Sequence, residues 1–329
     1  MTKIKASILY FLTASFVCIL TPTSGWSGTA KQIMPAGGAQ QDEVRTMIFP
    51  KDCCIGSLLL EDSSQRRQVA GAIGNVTIRV PKNSRVTFDA NSKIVKDPKI
   101  LESVTAPGVD CVRLRITSFD EKEDGKCDQA ISHIGHFTGT TILDLDRSDA
   151  SDVGISHLPL FKHLRNISCR SSSVTSGSFK TLLKFPTIKD IDFSECVIKS
   201  ADLKDLAGLP KLEQLNLSMT RLTSDDMKYL AKISSLKSLM LGNNPGINNE
   251  GLKHLAALPN LASLRLVGTK VTPEGLTQLR NLPLGYLELP SASSVQQASL
   301  RKLFPHTVIH YSTPPRVNSQ DAVIFAPLK

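Results

Sequence analysis

The sequence predicts a right-handed α/β solenoid, with parallel strands on a concave side, short helices outside, and a small β-rich cap at its N-terminal end. The first observation is a repeat. Leu212/Leu215/Leu217, Leu236/Leu239/Leu241, Leu261/Leu264/Leu266 and Leu284/Leu287/Leu289 share one spacing, and a period of ~24 residues marks a stacked array. The same step upstream gives Ile188/Ile191/Phe193, Leu164/Ile167/Cys169 and Thr140/Leu143/Leu145, so at least seven coils are present. The second observation is a change of period inside each unit. The LxxLxL segment alternates as a strand does, whereas Leu203/Leu206/Leu209 and Met227/Leu230/Ile233 recur as one face of a short helix or 3₁₀ segment does. Strands joined by helical crossovers lie parallel, with right-handed connections in nearly all cases. Parallel strands ~4.8 Å apart beside bulkier helices make such a stack curve.

The unit LASLRLVGTKVTPEGLTQLRNLP (261–283) resembles a leucine-rich repeat of the bacterial T-x-[VI]-T-x-x-G-L type, and the likeness covers residues 140 to 290. The resemblance implies a ribonuclease-inhibitor-like horseshoe that binds proteins and carries no catalytic residues. The slot that is often Asn in that family holds Ser148, Ser172, Cys196, Thr220, Asn244 and Thr269. Hydroxyls there can bond neighbouring turn groups and a thiol packs as a small hydrophobe, so the ladder is expected to be weaker than an all-Asn one.

Taken in chain order, Lys3 and Lys5 precede an apolar run, Ala6 to Leu20, followed by Thr21-Pro22-Thr23-Ser24-Gly25. This is the layout of a secretory signal, assigned to residues 1–25. The run falls short of the ~20 residues that a membrane span needs, which favours cleavage, after Gly25 or Ala30, over permanent anchoring by an uncleaved segment. Phe16-Val17 before Cys18 is not a lipoprotein signal. Residues 26–47 read as a linker. Ile48 to Leu60, then Val76/Ile78/Val80 and Val86/Phe88 joined by Pro81-Lys82-Asn83-Ser84, give strand-turn-strand signals and assign the cap to residues 48–90. The array runs over residues 91–311. It begins with a strand at Cys111/Leu114/Ile116, accommodates a charged loop at Glu121 to Lys126, and closes with a strand at Val308-Ile309-His310-Tyr311. Residues 312–329 read as a polar tail in which Val323-Ile324-Phe325 can dock locally.

Composition narrows the chemistry. The formal charge is +9, and loss of Lys3 and Lys5 with the signal leaves a basic exported chain, attracted to acidic polymers, anionic headgroups or acidic proteins. Outside the signal lie Cys53, Cys54, Cys111, Cys127, Cys169 and Cys196. An even number in an exported chain permits disulfides without revealing connectivity; Cys111 with Cys127 and Cys53 with Cys54 are the open possibilities, while Cys169 and Cys196 read as buried thiols. Only the vicinal pair is close enough to begin a zinc site. His157 and His254 belong to no HExxH, the serines at 171 to 178 sit in no GxSxG elbow, and no Gly-rich phosphate loop occurs. No enzyme, cofactor or metal is therefore expected.

The ligand is expected on the concave face, whose outward residues flank the inward leucines. The candidates are Asp144, Asp146, Arg170, Asp190, Asp192, Asn216, Met240, Arg265, Tyr286 and Glu288, a face that turns from acidic to mixed along the stack. Asp144 and Asp192 lie about two strand spacings apart, too far to share one calcium ion, whereas a basic peptide segment can span them. On the convex side Lys180, Lys204, Lys228 and Lys253 occupy one slot in consecutive coils, a candidate stripe for an anionic envelope surface. Nucleic acid is not expected, because no aromatic side chains interleave the stripe. The sequence thus points to an exported, non-enzymatic scaffold for a protein or peptide ligand, the alternative being an envelope-structural protein held on anionic polymer or lipid by its basic convex face.

Overall fold

The computed structural model describes residues 42–117 and 125–312. The expected signal peptide, the start of the linker, most of the charged loop and the tail from residue 313 lie outside the described residues. The described residues form fourteen strands: β1 (Glu43–Ile48), β2 (Gly56–Glu61), β3 (Arg66–Gly71), β4 (Asn75–Val80), β5 (Arg85–Ala90), β6 (Cys111–Arg113), β7 (Ile142–Asp144), β8 (Asn166–Ser168), β9 (Asp190–Asp192), β10 (Gln214–Asn216), β11 (Ser238–Met240), β12 (Ser263–Arg265), β13 (Tyr286–Pro290) and β14 (Val308–Ser312). β5 through β14 are parallel neighbours in chain order within one 12-stranded sheet. Short helices and 3₁₀ segments connect them, so the fold is the α/β solenoid that the repeat predicts.

The register follows the leucines. Ile167, Ile191, Leu215, Leu239, Leu264 and Leu287 stand in one row across neighbouring strands, and from Ile191 onward these residues are wholly enclosed. One row needs correction at its N-terminal end. Val112, not Leu114, faces Leu143, and the Leu114 N–H bonds the Asp144 carbonyl at 2.9 Å. The expected alignment of Cys111/Leu114/Ile116 was therefore two residues out, a slip that leaves Leu114 and Ile116 pointing inward because the strand period is two.

The turns after β7 to β12 each hold a left-handed residue, in succession Arg147, Ser171, Glu195, Met219, Asn243 and Gly268, with φ of 54°, 55°, 64°, 59°, 55° and 74°. A side chain there costs about 1–2 kcal/mol. The next coil offsets that cost: Arg147, Ser171, Glu195, Met219 and Asn243 donate their N–H groups to the carbonyls of Arg170, Ser194, Ser218, Gly242 and Val267 at 2.6–3.0 Å. One residue later sits the expected Asn slot. Ser148, Ser172, Thr220 and Thr269 each donate a hydroxyl to the carbonyl three residues back at 2.6–2.7 Å. Asn244 does more, accepting from the Thr220 and Leu222 amides at 3.0 and 3.1 Å and donating to the Leu217 and Leu241 carbonyls at 2.8 and 3.0 Å. Cys196 is not merely an apolar filler, because its thiol donates to the Cys169 carbonyl of the preceding coil at 3.0 Å.

The N-terminal region departs from a simple hairpin. β4 and β5 do flank Pro81–Ser84, but β4 pairs with β1 in a separate two-stranded sheet, while β5 joins β2 and β6. Alternation identifies a strand without naming its partner. β1 also begins at Glu43, within the stretch that reads as linker, and buries Met47 completely. Phe49, Phe88 and Phe137 stack at 5.9 and 5.0 Å, joining the cap to the first coil through one core.

All six described cysteines are free thiols. Cys111 alternates with the inward Val112 and so lies on the sheet face, whereas Cys127 packs in the helix Lys126–His133; they do not meet, and Cys53 and Cys54 do not join. Burial pushes the Cys111 thiol up to about 11 and Cys127 to about 12, leaving both protonated at neutral pH.

Candidate protein-binding face

Because inward leucines fix the middle of every strand, the residues on either side of them form straight outward rows. Asp144, Asp192, Asn216, Met240, Arg265 and Glu288 fall in one row, together with Ser168. Asp190 and Tyr286 belong to the row on the other side of the leucines, and Asp146 and Arg170 follow their strands. The candidates therefore share a face but not an environment.

The acidic end is neutralised. Arg113, itself buried, donates through Nε to Asp144 at 2.7 Å and faces Glu61 at 3.4 Å and Asp89 at 3.5 Å. Arg115 grips the same Asp144 carboxylate at 3.0 and 2.8 Å and comes within 3.6 Å of Asp146. Glu61 receives Arg66 at 3.0 Å and Arg85 at 2.9 Å. Burial pushes the Asp144 carboxyl up, but hydrogen bonds from Arg115 and Arg113 outweigh it and hold the group below its ordinary value. Glu61 is held low in the same way, burial being overcome by hydrogen bonds from Arg85 and Thr87 and by the Arg113 charge. Asp144 is thus a structural ion, not a free element of an acidic surface. Arg113 and Arg115 were missed by the sequence reading, although their alternation with Val112, Leu114 and Ile116 marks them as outward residues. Glu61 and Arg85 carry no such signal, since the pairing of the cap strands follows no repeat.

Farther along, the carboxylates lose their cations. Asp190 accepts from the Asn166 side chain at 3.0 Å, and Asp192 from Asn216 at 2.9 Å and from Ser194. Neither has an ion pair among the described residues. Burial raises the Asp190 carboxyl, reinforced by the Asp192 charge, and burial raises Asp146, which takes a 2.5 Å hydrogen bond from Ser168 and lies near the Asp144 charge. Arg170 is engaged by Glu195 at 2.8 Å. Toward the C-terminal end Arg265 lies 5.6 Å from the Tyr286 ring centre and 3.5 Å from Glu288, a partly exposed cation–aromatic–carboxylate set beside the half-buried Met240.

On the helix side Lys180, Lys204, Lys228 and Lys253 are all exposed. Lys253 is ion-paired with Glu250, and Lys228 lies against the Tyr229 ring, so the stripe is less free than its repetition suggests. Among the described residues no three His, Cys, Asp or Glu side chains are grouped to hold a metal ion, and no helix is long and apolar enough to cross a membrane.

A leucine-rich repeat family model matches residues 232–256, the coil that contains β11 and the helix Asn249–Leu255. No curated protein matches the chain in sequence. Among solved structures, an internalin from Listeria monocytogenes is similar at 15% identity, covering 70% of this chain and 91% of its own, with a TM-score of 0.41. The matched repeat stands in the middle of an in-register stack of parallel coils, and the fold is an α/β solenoid of the leucine-rich repeat type.

Proposed function

We propose that this protein is a non-enzymatic scaffold, exported from the cytoplasm, that binds a protein or peptide through its sheet face. The reading rests on one observation: outward side chains stand in register across many strands whose inward neighbours are enclosed, so the face presents a long, rigid row of chemically varied groups. The unpaired Asp190 and Asp192 suit a basic segment of the ligand. Arg265 with Tyr286 supplies the kind of anchor that dominates protein interfaces. Export rests on the charged start, apolar run and small-residue region of residues 1–25.

The test uses the mature chain as immobilised bait. A variant carrying Asp190→Asn, Asp192→Asn, Arg265→Ala and Tyr286→Ala is expected to lose specific capture while keeping its circular dichroism and unfolding midpoint. Changing Lys180, Lys204, Lys228 and Lys253 to Gln is expected to leave capture intact and to affect only salt-sensitive retention on anionic material. Loss of the partner by the lysine variant, with retention by the face variant, would place the working surface on the helix side.

A further inference from the structure

The cations of this basic chain are not spread evenly over its surface. Each coil returns from its helical segment to the next strand through a turn, and in the consecutive stretches 158–165, 182–189, 206–213 and 230–237 that turn is basic, with Glu213 as the one acid. The residue just before the strand forms a straight row. The N–H groups of Lys189, Glu213 and Lys237 donate to the carbonyls of Arg165, Lys189 and Glu213 at 2.7, 2.8 and 2.8 Å, so Arg165, Lys189, Glu213 and Lys237 stack at the ~4.8 Å step of the sheet. Lys162 and Lys211 stand in the same turns. Lys184 and Lys232 follow the helices Phe179–Leu182 and Met227–Leu230 by two residues.

Most of this charge is uncompensated. Glu213 binds Lys189 and Lys237 at 3.1 Å each, whereas Lys162, Arg165, Lys184, Lys211 and Lys232 are exposed and have no carboxylate partner among the described residues. The helix side differs, because Lys204 stands between Asp202 and Asp205, Lys228 follows Asp225, and Lys253 pairs with Glu250. On the other flank the sheet face presents Asp190 and Asp192. The free positive charge is therefore a narrow band along one edge of the array, bounded by acids on both sides. Other side chains of the turns are already engaged. Thr187 and Ser235 donate to the Leu164 and Leu212 carbonyls at 2.7 Å, and Phe161 and Phe185 are buried. What the edge offers a ligand is charge at a fixed interval.

We propose that this edge binds an acidic polysaccharide, a linear polyuronate that lies along the array with its carboxylates over the cations of successive coils. The surface is separate from the sheet face and from the helix stripe. The coil step of ~4.8 Å is close to the length of one sugar in an extended chain, so charges on polymer and protein stay in step. A band bounded by carboxylates admits a single anionic chain and repels a broad anionic surface such as a bilayer. A single-stranded nucleic acid would call for aromatic side chains on which its bases stack, and the aromatic rings of these turns are enclosed.

Two variants of the full chain remove the same amount of charge from different places. The edge variant carries Lys162→Gln, Arg165→Gln, Lys184→Gln and Lys211→Gln, and the stripe variant carries Lys180→Gln, Lys204→Gln, Lys228→Gln and Lys253→Gln. The edge positions are exposed and unpaired, so that variant should keep the circular dichroism and unfolding midpoint of the parent. Affinity for sodium alginate, a polyuronate, is then titrated over a range of salt concentrations. The parent should bind, the edge variant should bind about tenfold more weakly or worse with a shallower salt dependence, since fewer counterions are released, and the stripe variant should change by about threefold or less. Equal losses in the two variants would mean that binding follows net charge alone and would overturn the edge site, as would a parent chain that does not bind alginate. Phosphatidylglycerol vesicles and duplex DNA are titrated alongside. If either binds the parent as tightly as alginate does at equal salt, the assignment to a polysaccharide is overturned.

Discussion

Asp144 and Asp190 are both aspartates on the sheet face, yet their surroundings assign them opposite energetics. Asp144 is clasped by two arginines, one of them buried, and removing one member of such a set leaves its partner uncompensated at ~3–5 kcal/mol. Asp190 is half-buried with no cation partner among the described residues, so its charge is disfavoured by the fold. Urea titration at neutral pH is expected to show Asp144→Asn strongly destabilised and Asp190→Asn unchanged or slightly more stable. The pH dependence has the matching sign. Because folding lowers the Asp144 and Glu61 carboxyls, their contribution is complete above the unfolded-state value of about 4 and is lost as pH falls through the lower folded-state value. Asp190, raised by folding, contributes in the opposite direction, its penalty relieved as pH falls below the raised value. Acid unfolding that is identical in the parent and in Asp144→Asn would contradict the network's role.

A coil is stabilised by what it encloses and by what it hands to the next coil. Leu239 is fully enclosed between its counterparts Leu215 and Leu264 in the flanking strands, so Leu239→Ala is expected to cost ~2–5 kcal/mol through lost burial and a cavity. Ser238, on the outward side of the same strand, should tolerate Ala. The comparison is read from the midpoints of denaturant unfolding, and similar midpoints would mean that the strand faces are reversed. The turn slot extends the same logic to polar groups. A hydroxyl at Ser172 satisfies the Cys169 carbonyl, whereas the Asn244 amide serves two coils at once. Hydroxyl slots therefore close each coil on itself and depend on the left-handed residue before them for the bond across to its neighbour.

At the scale of the molecule, the stack joins a cap built from non-repeating pairings to an array built from one repeated pairing, with the charged network of Glu61, Arg85, Arg113 and Asp144 lying across the join. The basic composition and the N-terminal pattern belong to this scale too. Sequencing the N-terminus of protein recovered outside the cytoplasm is expected to find a new start between residues 26 and 31; an intact Met1 on membrane-associated protein would instead indicate an uncleaved anchor.

The solenoid was legible in the sequence because a coil repeats its own burial pattern: Leu215, Leu239, Leu264 and Leu287 declare the strand, its inward face and its neighbour together. The candidate face was legible only as a set of outward residues, since period-two alternation tells which way Asp144 or Asp190 points but not what stands opposite. That depended on tertiary structure. Whether an aspartate is paired is decided by strands distant in sequence, as when Arg113 brings Glu61 and Asp144 to one guanidinium, and the partners of β4 and β5 were set by packing of the cap on the first coil. Local periodicity records burial, which every residue of a repeat experiences in turn; charge pairing and irregular strand order depend on which segments meet, and no spacing along the chain encodes that.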